Sequence, residues 1–328
     1  MPALAATLRY PTQRILLPRT KLAYVHLRNL LTDAKRDRAA RVSGYVAIWL
    51  AEELVLLYLQ QGEVVNATST QNGQTFVALP IADALARVPA EPELGEICFH
   101  EADESQLACM YAAQAGSAAA MGFPEEIEPG VAASLFPYLA ATTFDGFVQI
   151  RVGGLVNYLL FQDGAVRRGY LADGDAGPLV ARVQRLFDDE GAPAARDVRR
   201  WEGPPPLPVQ AAPALIQAYR ELAASIVARL VSEGGEGAPA VAEAARQALL
   251  PTHPALRAFA LGAAGTRGTT EPADAVTGAV GAWVTDLLWT AASDGPEPES
   301  LLRDASRERR HVFQSAGFFD RLPWKVAW

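Results

Sequence analysis

Two stretches of equal length, Gly44–Gly62 and Gly146–Gly164, lie on one another without a gap, and this match constrains the fold more than any other feature. Val46, Ile48, Leu57, Gln60, Gly62 and Val64 recur as Val148, Ile150, Leu159, Gln162, Gly164 and Val166. Each copy is a succession of short apolar runs separated by turn residues, which reads as strand, turn, strand, turn, strand. The first turn is Ala51-Glu52-Glu53 in one copy and Gly153-Gly154 in the other; the second is Gln61-Gly62 or Asp163-Gly164. Asp-Gly suits a two-residue hairpin in which both central residues take positive φ. The pattern predicts two meanders over 44–66 and 146–168, related by duplication.

The flanks of the two copies also correspond. Helix-like segments precede them at Lys21–Ala40 and Val131–Ala141. After the first come a helix-like stretch, Thr75–Ala86, and a closing strand, Gly95–His100. After the second comes Pro178–Asp188, with Leu179, Val180, Val183, Leu186 and Phe187 at helical spacing. No Gly-x-Ile-x-Phe segment follows the second copy. The run Gly203-Pro204-Pro205-Pro206-Leu207-Pro208 then breaks the chain, because consecutive prolines favour extended geometry and cannot continue a helix or a central strand.

Beyond the prolines nearly everything reads as helix. Leu215, Ile216, Tyr219, Leu222, Ile226, Val227, Leu230 and Val231 form one stripe over 212–231, ended by Gly234-Gly235, and further helices are expected at 239–250, 253–261, 273–293 and 298–315. Gly262–Thr270 reads as a connection. The expected fold class is α+β: two repeated small units, each a β-meander plus helix, followed by an all-helical C-terminal domain. The expected boundaries are 1–120 and 121–203 for the two units, 204–212 for a proline-rich linker and 213–328 for the helical domain.

The order of these segments resembles the PATAN-type domain of bacterial response-regulator-associated proteins. That pattern is a helix, a unit of glycine, hydrophobic strand, turn, apolar strand, glycine and strand, then a second helix and a Gly-x-Ile-x-Phe strand. It is met here by Leu27–Leu31, Gly44–Ile48, Leu56–Gly62, Val64–Ala67 and Gly95–Phe99. The resemblance covers about 22–101 and, more loosely, 131–200. It implies protein–protein regulation around signalling outputs, without catalytic residues.

Charge and composition narrow the partners. The net charge is −8, with a pI near 5.2, which disfavours long-range attraction to nucleic acid or an anionic membrane. Cys98 and Cys109 are too few for a disulfide framework, and with His100 they lack zinc-ligand spacing. His26, His100, His253 and His311 are scattered. No HExxH, GxSxG, P-loop or EF-hand pattern occurs, and Gly262–Gly268 has the wrong spacing for a dinucleotide loop. Asp173-Gly174-Asp175 reads as a turn. The expectation is no enzyme, no cofactor and no metal. The apolar run 275–292 is interrupted by Asp286 and carries its large apolar residues on one face, so it reads as a core helix with no membrane span. A cytoplasmic chain without a signal peptide is expected, since no cationic start leads into an apolar run.

The remaining candidates concern binding. Lys35-Arg36-Asp37-Arg38 with Arg41 closes the first helix, and Arg303, Arg307, Arg309 and Arg310 lie on the last. These are solvated helix faces or surfaces for an anionic partner. The tail from Ala316 to Trp328 carries Phe318, Phe319, Trp324 and Trp328. Exposed together these would form an adhesive patch, so they should dock on their own helices or across an interface. The partner-binding candidates are therefore Arg303, Arg307, Arg310, Phe318, Phe319, Trp324 and Trp328. The expected function is a non-enzymatic protein–protein interaction scaffold or signalling adaptor of a bacterial cytoplasm, acting on a protein partner or by self-association. The alternative is a sensor holding a small molecule in an apolar pocket between the repeats.

Overall fold

A computed structural model describes residues 3–36, 41–89, 92–116, 119–188, 196–203, 206–233, 235–260, 268–291 and 297–328. Asp37 and Arg38 of the first cationic cluster, Pro204 and Pro205, Gly234, and 262–267 of the glycine-rich connection lie outside them. The fold is mixed α+β, with two antiparallel sheets and several helices. In chain order the elements begin with α1 (Ala3–Thr7), β1 (Arg14–Lys21), α2 (Leu27–Arg36), β2 (Gly44–Trp49), β3 (Leu54–Gln60), β4 (Glu63–Thr70), β5 (Val77–Leu79), α3 (Ile81–Ala86), β6 (Glu96–Glu101) and α4 (Glu104–Ala115). Then come α5 (Ala132–Ala141), β7 (Gly146–Val152), β8 (Leu155–Gln162), β9 (Ala165–Tyr170), α6 (Leu179–Phe187) and β10 (Arg196–Glu202). The last are α7 (Pro213–Ser232), α8 (Ala238–Leu249), α9 (Ala273–Ala291), α10 (Pro298–Ser306) and α11 (Arg310–Ser315). Two compact units result, Met1–Ala78 with Val88–Pro208, and Leu79–Arg87 with Val209–Trp328.

The first unit holds both sheets, in the orders β1-β6-β2-β3-β4-β5 and β10-β7-β8-β9. Gly44, Val46 and Ile48 face Leu59, Leu57 and Val55; Gly146, Val148 and Ile150 face Phe161, Leu159 and Asn157. A register shift falls between Tyr58 and Leu59 in one sheet and between Leu160 and Phe161 in the other. Both tight turns have positive φ at their two central residues, 49° and 80° at Gln61 and Gly62, 50° and 74° at Asp163 and Gly164. Each turn is tied down alike: the Gln61 N–H donates to Ser43 Oγ and the Asp163 N–H to Asp145 Oδ1. A helix crosses behind each glycine, so a Cβ on Gly62 would meet the Ala34 carbonyl of α2 at 2.3 Å, and one on Gly164 the Leu139 carbonyl of α5 at 2.7 Å.

No Gly-x-Ile-x-Phe segment follows the second meander, but β10 occupies the place of its closing strand. It pairs with β7 as β6 pairs with β2, setting Glu202 opposite Gly146 and Trp201 opposite Phe147. Arg-Asp-Val-Arg-Arg-Trp-Glu is mostly charged and reads as exposed, yet its neighbours Arg200 and Trp201, on opposite faces of the strand, are both buried. Strand β1, with Pro18 inside it, displaces the start of the first predicted helix from Lys21 to Leu27. An edge strand tolerates that proline.

Alternation gives each sheet two buried faces. Tyr45, Ala47, Trp49, Leu56 and Tyr58 of one sheet share a core with Phe147, Val156, Tyr158, Tyr170 and Trp201 of the other, into which α4 sends Leu107, Cys109 and Met110. Asp103 caps α4, accepting from the Gln106 N–H at 2.8 Å. On the opposite face of the second sheet, Val148, Ile150, Leu159 and Phe161 pack on Leu135 and Leu139 of α5 and Val183 and Leu186 of α6.

In the second unit the described elements from Val209 onward are helices. Their core is built by Ile216, Tyr219, Leu222 and Ile226 of α7, Ala242 of α8, and Val280, Trp283, Val284 and Leu287 of α9. Helix α3, expected beside the first meander, belongs to this unit. The Ile81 N–H donates to Gln210 Oε1 at 3.1 Å, Gln210 Nε2 donates to the Leu79 carbonyl at 2.8 Å, and the Gly268 N–H donates to Asp83 Oδ1 at 3.0 Å. Among the described residues no helix is long and apolar enough to cross a membrane.

Candidate functional site

The aromatic tail docks on the helices of its own unit. Helix α11 ends at Ser315, and Gly317, with a φ of 69°, turns the chain back. Phe318 then enters the core, fully buried, with its ring 5.4 Å from Tyr219 and 5.8 Å from Phe313. Burial also pushes the Tyr219 phenol up to about 12, and its hydroxyl donates to Thr277 Oγ1 at 2.9 Å. Leu322 follows Phe318 into this core, while Phe319, Trp324 and Val326 pack half-buried against its surface. Gly281 of α9 permits the approach, since a Cβ there would sit 3.1 Å from Arg321 Cβ.

The other candidates divide. Arg310 lies over the Trp328 ring at 4.2 Å, and Trp328 meets Phe319 at 5.3 Å, so these three form one cluster. Arg307 reaches Asp304 at 3.4 Å and Arg303 reaches Ser300 Oγ at 3.5 Å, each within its own stretch of helix. Arg309 pairs with Glu221 of α7 at 2.6 Å. The arginines therefore address different neighbours and do not converge on one anion position.

What the tail creates is a shallow groove of about 790 Å³, lined by Leu249 of α8, by Thr285, Asp286 and Trp289 of α9, and by Asp320 and Pro323 of the tail. Trp289 is 64% exposed, and its ring stands 5.4 Å from that of Trp324 at 40°. An indole left in contact with water in a groove is costly, since burying a large apolar side chain contributes about 1.5–3 kcal/mol. Arg321, also on the lining, is held by Asp274. Neither Asp286 nor Asp320 has an ion-pair partner among the described residues. The buried stripe of α9 stands out in the sequence, whereas its second stripe is marked only weakly. Ala282, Thr285, Asp286 and Trp289 repeat at helical spacing opposite the core, and the tryptophan that closes this polar stripe was the available signal.

The sulfur and imidazole groups lie elsewhere. Cys98 and Cys109 are buried in the first unit, where desolvation pushes their thiols up to about 11 and about 12, and at neutral pH both are protonated. Among the described residues no three His, Cys, Asp or Glu side chains form a metal-holding group. The shared core of the two sheets is rich in tyrosine and amide groups. The Tyr58 hydroxyl and Thr68 Oγ1 both donate to Gln114 Oε1, while the buried Gln114 Nε2 has no hydrogen-bond partner among the described residues.

No family model matches the chain, and neither a curated protein nor a solved structure matches it.

Proposed function

We propose that the chain is a non-enzymatic scaffold or adaptor for protein–protein interaction in a bacterial cytoplasm, built on a duplicated PATAN-like unit followed by a helical interaction domain. The carrying observation is the open groove beside α9, lined by the exposed Trp289, whose ring is in contact with the half-buried Trp324. Aromatic anchors of this kind dominate interface energies, and a groove next to them gives a partner's side chains a place to enter. The duplication rests on the common register of the two meanders, their matching turn tethers and the Gly-to-Gly sequence match. The signalling role rests on the PATAN resemblance of residues 22–101.

Affinity capture with the tagged full chain from a native bacterial lysate, read by mass spectrometry, tests the proposal. Wild type should retain a defined protein that the Trp289→Ala and Trp324→Ala variants lose, with the melting temperature of Trp289→Ala holding because that ring is exposed. Identical captured sets from wild type and both variants would remove the groove from the account. A ligand-sensing reading has one observation in its favour: the donor on Gln114 at the core shared by the two sheets, which a ligand carbonyl would satisfy. Its test is a ligand-induced rise in melting temperature that Gln114→Leu abolishes.

A further inference from the structure

The groove carries a charge pattern as well as an aromatic wall, and together they specify what enters it. We infer that it receives an arginine side chain of a partner protein, its guanidinium stacked on the Trp289 indole and facing the carboxylates of Asp286 and Asp320. This inference rests on the interaction reading above and names the chemistry of the partner.

Three features converge on a guanidinium. Asp286 precedes Trp289 by just under one turn on the same stripe of α9, so a cation over the indole face is also within the field of that carboxylate. Asp320 lines the groove from the tail. The lining cation Arg321 is engaged by Asp274, a residue that does not line the groove, so it leaves the two carboxylates uncompensated. The wall is also preorganised: Trp289 is braced by Trp324, so its ring needs little ordering on binding.

Guanidinium is favoured over ammonium on physical grounds. It is planar and weakly hydrated, stacks on an aromatic face, and presents a fork of donors that a carboxylate accepts in pairs. The same unit already contains such a stack, with the Arg310 guanidinium 4.2 Å above Trp328. The chain's net charge of −8 adds long-range attraction for a basic partner.

The test is solution NMR of the 15N-labelled full chain, observing the six tryptophan indole signals, with that of Trp289 assigned by Trp289→Phe. The probes are capped tripeptides Gly-Arg-Gly, Gly-Lys-Gly and Gly-citrulline-Gly, the last a neutral isostere. The arginine peptide should shift the Trp289 indole saturably, in the millimolar range expected of one side chain. The Asp286→Asn, Asp320→Asn double variant should weaken that response roughly tenfold, and added salt should weaken it further. Melting temperatures of wild type and double variant should agree, since both carboxylates are exposed. An equal response to citrulline, an equal response to lysine, or indifference to the double substitution would each overturn the assignment. If the captured partner is still lost on Trp289→Ala while the arginine peptide is inert, only this inference fails. If neither depends on Trp289, the interaction reading fails with it.

Discussion

The two meanders of the first unit place their strands in the same register but put different chemistry at equivalent positions. At one pair of facing residues the first sheet sets Tyr45 against His100 and the second sets Phe147 against Trp201. Tyr45 and His100 meet edge to face with a 2.8 Å contact between the hydroxyl and Nδ1; Phe147 and Trp201 stack at 4.9 Å and 4°. One position further, Val46 faces Phe99 and Val148 faces Arg200. Arg200 is buried and has no carboxylate partner among the described residues. Its guanidinium donates to the Gly122 carbonyl at 3.1 and 2.7 Å and lies 4.9 to 5.7 Å from the rings of Phe123, Tyr138 and Phe144. Register is thus held by turns, glycines and alternation, while the side chains filling each face are free to change so long as every buried polar group finds a partner.

The largest expected effect comes from the glycines that admit the closing strands. A Cβ on Gly44 would sit 2.1 Å from the His100 carbonyl oxygen, and one on Gly146 would sit 2.1 Å from that of Trp201. The obstacle is backbone in both, so no rotamer relieves it. Gly44→Ala and Gly146→Ala should each destabilise by roughly 3 kcal/mol or more, read from urea midpoints by circular dichroism. Equal losses would sharpen the equivalence of the sheets; a silent Gly146→Ala would break it.

Next is the buried cation. Arg200→Met keeps the apolar stem but strands the Gly122 carbonyl and removes the cation from three rings, a loss of about 2–3 kcal/mol. Arg200→Lys should recover little, because an ammonium cannot both stack and reach the carbonyl with a fork. In the other sheet Phe99→Leu should cost about 1 kcal/mol, as a repacking change. If Arg200→Met matched Phe99→Leu in urea melts, the guanidinium would be filler and its hydrogen bonds irrelevant.

A smaller effect distinguishes the first hairpin loops. Gly153 has a φ of 58° and open space around it. Gly153→Ala therefore bears only the left-handed backbone term, about 1 kcal/mol. Gly154→Ala should cost more, since its Cβ would meet the Thr7 carbonyl at 2.4 Å. The reverse order in thermal melts would show that the two-residue turn is not what limits this hairpin.

The meanders were legible because their information is local: glycine spacing, Asp-Gly, and alternation within each run. Helices α6, α7 and α9 were legible from apolar stripes. The closing strand β10 was not, because Arg199 and Arg200 read as exposed until Phe123, Tyr138 and Phe144 are brought to the latter by the fold. Strand β1 was hidden by Pro18. The groove at α9 was half legible. Its tail aromatics stood out in the sequence, but Trp289 and Asp286 acquire meaning only once the tail returns to α9, a contact between segments far apart in the chain. The placement of α3 in the helical unit depends likewise on Gln210, which no local pattern marks.

The finest distinction between the sheets is their response to acid. Burial lowers the His100 pKa, so the imidazole folds neutral. The single proton of the Tyr45 hydroxyl is claimed by the Pro11 and Tyr10 carbonyls, at 3.0 and 3.2 Å, which leaves His100 Nδ1 as the donor to the tyrosine oxygen. The unfolded chain binds a proton at this histidine at a higher pH than the folded one. Stability should therefore fall as pH drops below about 6.5, and level off once the folded imidazole also protonates. Phe147 and Trp201, at the equivalent place, have nothing to titrate. The second sheet's acid-sensitive contact is instead Asp173, whose carboxyl is held low by Arg182; that stability persists until pH falls below about 3.9. Melting temperatures between pH 7.5 and 5 should decline in wild type and decline less in His100→Gln, while Asp173→Asn should leave that window untouched. Parallel declines in wild type and His100→Gln would move the response to another group and erase this difference between the sheets.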